Sequence, residues 1–248
     1  MRRYLIPGVC TALLALFLSS CEFPPWNCLK GNGVVVLEER DFTSSPFTGI
    51  VSEGAYDITI IIDTVHKVFI DTDENLLEYI STYIRGDNLI IENERNRCLR
   101  PRDGGEVIIY IHMPAVHLIN LVGSGIIYCE DFVYVDYIRM EMIGSGVIEL
   151  RDLDVLSLDA MITGSGEIEL WGICNEGDID ISGSGVIKAF HLEQDICDAS
   201  ISGSGDIYVF VYDILSCNIS GSGNIFYRGN PTVTVRKTGT GEVYNSNK

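Results

Sequence analysis

Ile179-Asp180-Ile181-Ser182-Gly183-Ser184-Gly185-Val186-Ile187-Lys188-Ala189 is one of seven near-copies of a single pattern. Its centre, Gly-Ser-Gly, stands at Gly123-Ser124-Gly125, Gly144-Ser145-Gly146, Gly164-Ser165-Gly166, Gly183-Ser184-Gly185, Gly203-Ser204-Gly205 and Gly221-Ser222-Gly223, with an altered last copy at Gly239-Thr240-Gly241. The step between copies is 21, 20, 19, 20, 18 and 18 residues. A period near 20 marks a solenoid, in which one coil cannot bury its apolar face alone and stacking supplies the core.

Aligning the copies shows what the coil is made of. Four residues after the first Gly lie Ile127, Ile148, Ile168, Ile187, Ile207, Ile225 and Val243, and two before it lie Leu121, Met142, Ile162, Ile181, Ile201 and Ile219. The residues between them are mostly polar, among them Asn120, Glu141, Asp180, Glu149, Glu169 and Lys188. Alternation with period two predicts strands with one buried face. The expected fold is all-β, a β-solenoid of about 20 residues per coil with corners at Gly123, Gly144, Gly164, Gly183, Gly203 and Gly221. Stacking puts the intervening hydroxyls in a ladder spaced by roughly 4.8 Å. A phosphate-binding loop does not fit, because no P-loop lysine and no helix follow the glycines.

The formal net charge is −18, and it becomes −20 once Arg2 and Arg3 leave with a leader. Nucleic acid is excluded as a partner on this balance, since no basic stripe is present to release counterions. Met1-Arg2-Arg3 followed by the apolar run Leu5 to Leu18 reads as a signal peptide, too short for a spanning helix. It ends in Leu18-Ser19-Ser20-Cys21, a lipobox-like sequence that makes Cys21 the expected lipidated residue. Two or more acyl chains there would anchor the chain to a membrane. The organisation expected is a leader at 1–20, the lipidated cysteine and a tether at 21–40, an amino-terminal β region at 41–115 capping the stack, and the repeat solenoid at 116–248.

Six cysteines follow Cys21, and an envelope location permits disulfides. Cys28 and Cys98 lie outside the repeats and are expected to pair. Cys197 and Cys217 each stand fourteen residues after a repeat glycine, which predicts neighbouring positions, either bonded or simply buried. No Cys-x-x-Cys pair occurs, so neither zinc nor thioredoxin-type chemistry is indicated.

The front half also reads as strands, with a short helix expected from Asp73 to Ile84 on the spacing of Leu76, Leu77 and Ile80, and a charged loop from Asn93 to Gly105. Several of its segments resemble a known family: Phe47-Thr48-Gly49-Ile50-Val51, Gly54-Ala55-Tyr56-Asp57-Ile58, Asp73-Glu74-Asn75-Leu76-Leu77, Gly86-Asp87-Asn88-Leu89-Ile90-Ile91 and Ile111-His112-Met113-Pro114. Together with the Gly-Ser-Gly series they are similar to the bacterial "putative auto-transporter adhesin, head GIN domain" proteins, common as lipoproteins in Bacteroidetes. The resemblance covers roughly residues 45 to 245. It implies a single-stranded right-handed parallel β-helix, a place in the outer membrane at the cell surface or periplasmic face, and an adhesive role. It brings no catalytic motif and no cofactor.

Two aromatic series are the candidate ligand-binding residues. Trp171, Phe190 and Phe210 stand seven residues after the first Gly on three consecutive coils. Tyr208, Phe226 and Tyr244 stand five after it. An exposed aromatic ladder suits a glycan or a surface protein, whereas a turn before the seventh position would fold the first series into a satellite core. A polysaccharide-active β-helix enzyme would need carboxylates under long loops. Glu149 and Glu169 share a phase, with Glu130, Asp152 and Asp154 near them, but coil lengths that vary by at most three residues leave no such loops. The four histidines, His66, His112, His117 and His191, share no phase. Asp63-Thr64-Val65 matches a short pattern for O-glycosylation. No catalytic and no metal-binding residue is assigned. The expected protein is a lipid-anchored, non-enzymatic surface module for adhesion or glycan contact, with a periplasmic scaffold as the alternative.

Overall fold

The computed structural model describes residues 28–94 and 97–247. The leader, Cys21 and the expected tether as far as residue 27 lie outside the described residues. Among those described, no helix is long and apolar enough to cross a membrane.

Parallel strands stack coil upon coil. Leu118–Gly123 pairs with the end of Ile126–Gly144, which pairs with Val147–Gly164, then Glu167–Gly183, Val186–Gly203 and Asp206–Gly221. The next coil is split into Asn224–Gly229 and Thr232–Gly239, and Val243–Asn245 begins one more on top of Asn224–Gly229. The first glycines of the seven copies are direct register partners from Gly123 to Gly239. At Gly183 the reason for glycine is on the backbone: φ is +134°, and a Cβ would stand 2.3 Å from the Gly164 carbonyl oxygen. No other residue tolerates both conditions.

Burial divides each coil into three runs. In Val147–Gly164 the buried residues are Ile148 and Leu150, then Leu153 and Val155, then Leu158, Ala160 and Ile162. Within a run the spacing is two, and between runs it is three. Each slip in parity marks a bend, and the pairing register shifts between Leu150 and Leu153. Rows of aliphatic side chains fill the interior along the whole stack. A row such as Ile127, Ile148, Ile168, Ile187, Ile207 and Ile225 is fully buried, and each side chain contributes about 1.5–3 kcal/mol of hydrophobic burial.

Parallel stacking does not begin at the first Gly-Ser-Gly. Gly49–Gly54 is in register with Leu118–Gly123, and Asp57–Thr59 with Ile126–Tyr128. Gly54-Ala55-Tyr56 therefore stands in line with Gly123-Ser124-Gly125. Tyr56 hides the copy from sequence, because its buried ring takes the space beside Gly54. One more parallel layer follows, Asn88–Asn93 on Gly49–Gly54 and Ile108–Met113 on Asp57–Ile62, and beyond it the sheet turns antiparallel. Asn88–Asn93 pairs with Ile80–Arg85, and Ile108–Met113 leads through Lys67–Asp73 to the edge strand Val35–Asp41.

The expected helix from Asp73 to Ile84 is a 3-10 turn at Glu74–Tyr79 followed by the strand Ile80–Arg85. Leu76 and Leu77 are buried as their spacing requires, but β-branched Ile80, Thr82 and Ile84 favour strand pairing once the turn ends. The charged segment 93–105 contains a two-residue strand, Leu99–Arg100, paired with Leu29–Lys30.

Cys28 and Cys98 form a disulfide. Cys129, Cys174, Cys197 and Cys217 are free and buried. Cys197 and Cys217 are not register partners. Cys197 lies against Leu215 and Ala199 against Cys217, because the later coil is shorter and the ladder slips after Ala189 and again after Gln194.

Candidate functional site

The aromatic residues converge on the carboxy-terminal half of the stack, but not as two simple columns. Tyr208, Phe226 and Tyr244 are register partners. Their rings stack at 4.8 Å and 5.2 Å between centroids, with interplanar angles of 8° and 17°. That spacing is the strand spacing itself, so the ladder follows from putting an aromatic on each coil at one outward position. The same row continues back through Lys188, Glu169, Glu149 and Tyr128.

Trp171, Phe190 and Phe210 do not form a column. Trp171 pairs with His191 and stacks on it at 5.9 Å and 7°, while Phe210 pairs with Glu193. Phe190 falls in the stretch between Ala189 and Glu193 where the register shifts, and is left without a partner on the next coil. The physical reason is length: unequal coils absorb their difference at this bend, so counting from the glycine fails just past it. The three side chains are half-buried and stay outside the core. Phe190 instead packs edge-on to Tyr208 at 5.3 Å, and Phe210 edge-on to Tyr212 at 5.0 Å.

Cations lie over three of the rings. The Arg228 guanidinium lies 4.0 Å from the Phe190 centroid, and Arg151 lies 5.1 Å from Trp171 and 5.7 Å from Tyr128. Trp171 is thus held between His191 and Arg151. Such contacts contribute about 0.5–1 kcal/mol each at exposed sites. Sequence reasoning missed His191, Arg228 and Arg151; only Tyr128, at the same phase as Tyr208, carried a readable signal.

Two open grooves meet at Phe190. One, about 400 Å³, is lined by Glu169, Val186, Lys188, Phe190, His191 and Tyr208. The other, about 700 Å³, is lined by Phe190, Phe210, Arg228, Asn245, Ser246 and Asn247. Lys188 is bonded to Glu167 at 2.6 Å, which raises its pKa, and burial raises that of the Tyr208 hydroxyl. The floor is apolar and the rim is charged.

The other candidates are dispersed. Glu149 and Glu169 are adjacent in register, and Glu149 is paired with Arg151 at 2.6 Å. His66 bonds the Phe47 carbonyl, His112 bonds Asp63 and His117 bonds the Tyr137 carbonyl, each at 3.0 Å. Among the described residues, no three His, Cys, Asp or Glu side chains come together as a metal site.

The chain is a stacked all-β solenoid that carries an aromatic surface with charged neighbours. The family described as "Putative auto-transporter adhesin, head GIN domain" matches residues 46–231, and the chain belongs to it. This makes it a non-enzymatic, adhesin-type module associated with the outer membrane or surface. Solved structures share the fold. A protein described as a putative adhesin from Bacteroides fragilis superposes with a TM-score of 0.82 at 22% identity, covering 88% of this chain and 99% of that one. A protein described as a putative lipid binding protein from Parabacteroides distasonis gives 0.74 at 26%, covering 87% and 98%. A protein described as a putative adhesin from Parabacteroides merdae gives 0.68 at 23%, covering 88% and 98%. No curated protein matches the sequence.

Proposed function

We propose that this protein is a lipid-anchored rod of the bacterial outer membrane whose carboxy-terminal aromatic surface contacts its adhesion target. Residues 1–20 are the leader and Cys21 carries the lipid; of the expected tether at 21–40, the stretch before Cys28 is left to act as one, since Cys28 is disulfide-bonded and Leu29–Lys30 and Val35–Asp41 are paired strands. Residues 41–115 cap the stack, and 116–248 form a right-handed coil turning at the Gly-Ser-Gly corners. The observation that carries the reading is the aromatic ladder ending at Tyr244, at the end of the sheet remote from the amino-terminal strands. An anchored rod would hold that end away from the membrane.

The occupied ring faces favour a protein surface as the target. Sugar rings stack on free faces, and those of Trp171, Phe226 and Phe190 are engaged by neighbours. Grooves flanked by edge-on aromatics and Arg228 match the aromatic and arginine enrichment of protein interfaces. A glycan reading keeps one support: Tyr244 is 46% exposed and, among the described residues, its one ladder partner is Phe226.

Binding to intact host-cell or bacterial surface proteins, compared between wild type, Phe190→Ala and Tyr244→Ala, tests the proposal. Loss of about tenfold or more in affinity on Phe190→Ala is expected of a groove anchor. Retained binding in both variants would clear the aromatic surface of a role. Binding to a glycan array that only Tyr244→Ala abolishes would favour the sugar reading.

A further inference from the structure

We propose that the opposite end of the rod is a membrane-docking face, a disulfide-tied basic lobe that sits on anionic phospholipid headgroups. The proposal rests on the reading of Cys21 as the acylated residue. The lobe consists of residues 28–33 and 97–105, joined by the Cys28–Cys98 bond and the pairing of Leu29–Lys30 with Leu99–Arg100. It carries Lys30, Arg97, Arg100 and Arg102 against one carboxylate, Asp103, in a chain of net charge −18.

The lobe gathers its cations in one place. Elsewhere among the described residues Arg40, Lys67, Arg139, Arg151, Lys188 and Lys237 each pair with a carboxylate, and Arg85, Arg228 and Arg236 do not. Among the described residues the four of the lobe have no such partner. Lys30 and Arg100 are direct register neighbours, both exposed. Like charges side by side on a ladder are unfavourable unless an external anion lies over them.

The lobe is held rigidly rather than trailing. The Asp73 carboxylate, itself buried, accepts from the Gly33 and Arg102 backbone N–H groups. The Asn75 amide accepts from Asn32 N–H and donates to the Lys30 carbonyl at 2.8 and 2.9 Å. The chain then enters the edge strand Val35–Asp41, where Val34, Val35 and Leu37 are 52%, 66% and 60% exposed. Glu38, Glu39 and Asp41 follow in that strand, and exposed Glu74 and half-buried Asp71 lie beside it, the Glu74 N–H bonding the Val34 carbonyl and Asp71 in register with Leu37. Basic groups beside exposed aliphatic side chains are the composition of an interfacial contact with anionic lipid.

Position selects the occupant. Cys28 follows Cys21 by seven residues, a span of at most about 25 Å when fully extended. An acidic protein could meet the same cations, but a membrane surface is within reach of the lobe in every anchored molecule. The acidic coils would be repelled from that surface, which would stand the rod upright on its basic end.

Full-length acylated protein is reconstituted on vesicles of phosphatidylcholine alone or with phosphatidylglycerol. Amide hydrogen exchange is then read at residues 29–37 and 97–105. Exchange slower by about tenfold on the anionic vesicles, reversed by high salt and by the Arg100→Gln/Arg102→Gln variant, is expected. Protein on both vesicle types with equal exchange overturns the docking face and leaves the anchor standing. Protein bound with protection only on anionic vesicles supports the face without the anchor. Protein in neither vesicle fraction overturns both.

Discussion

Lys237 occupies the row that Ile219 fills one coil earlier, and its ammonium turns to Glu242 at 2.6 Å. Asn245 likewise continues the row of Tyr227. Polar groups thus replace core aliphatics at the last coil, while Val233 and Val235 remain partly uncovered. Solenoids need such a polar terminal repeat, because an apolar end with an open strand edge recruits another chain. Lys237→Ile should raise concentration-dependent self-association in sedimentation velocity. A profile identical to wild type would remove the capping role from Lys237.

The glycine row should be far less tolerant than the serine row beside it. Gly183→Ala places a Cβ against the Gly164 carbonyl at a φ that L-residues avoid, and should cost about 2–4 kcal/mol in urea unfolding. Ser184 is exposed, and Ser184→Ala should stay within about 0.5 kcal/mol. Equal effects of the two substitutions would contradict the close approach.

Gln194 is fully buried with neither amide atom bonded, its oxygen turned into the space left by Gly177. An unpaired buried amide is costly. Gln194→Met keeps the shape and should raise stability by about 1 kcal/mol. A loss of stability would mean that the amide is bonded to internal water.

Stability should fall as pH rises from 4 to 7. Burial, followed by a hydrogen bond and charge from Glu106, raises the Asp57 carboxyl from 3.8 to about 6. Burial also raises Asp178 and Asp180. A carboxyl whose folded pKa lies above its unfolded value stabilises the fold fully below the unfolded pKa, and that contribution is lost as pH climbs through the folded one. The window for Asp57 is therefore about 4 to 6. Melting temperatures should be higher at pH 5 than at pH 7.5, and Asp57→Asn should flatten the difference. An unchanged slope in the variant would clear Asp57.

The four free thiols should resist alkylation in the native state. Burial pushes Cys129 to about 11 and Cys174 and Cys217 to about 12, and raises Cys197 well above the ordinary range. Almost no thiolate is present at neutral pH. Labelling by iodoacetamide without denaturant, followed by mass spectrometry, checks it; rapid modification of any of the four would show that its coil opens.

The repeat and its parity were enough to determine which residues stack and which fill the interior. Period and alternation are local properties, and Ile148 or Ile181 can only point inward once neighbouring coils share a phase. A leader and a lipobox ending at Cys21 are expectations from composition, and they lie outside the described residues. Tertiary structure alone decided where unequal coils absorb their extra residue, and so that Trp171 meets His191 instead of Phe190 and that Cys197 misses Cys217. It alone brought Lys30 beside Arg100, since a pairing across 70 residues leaves no periodic trace in the chain. Alternation fixes a side chain's direction within a run, but a bulge resets it, and only contact with the next coil says where.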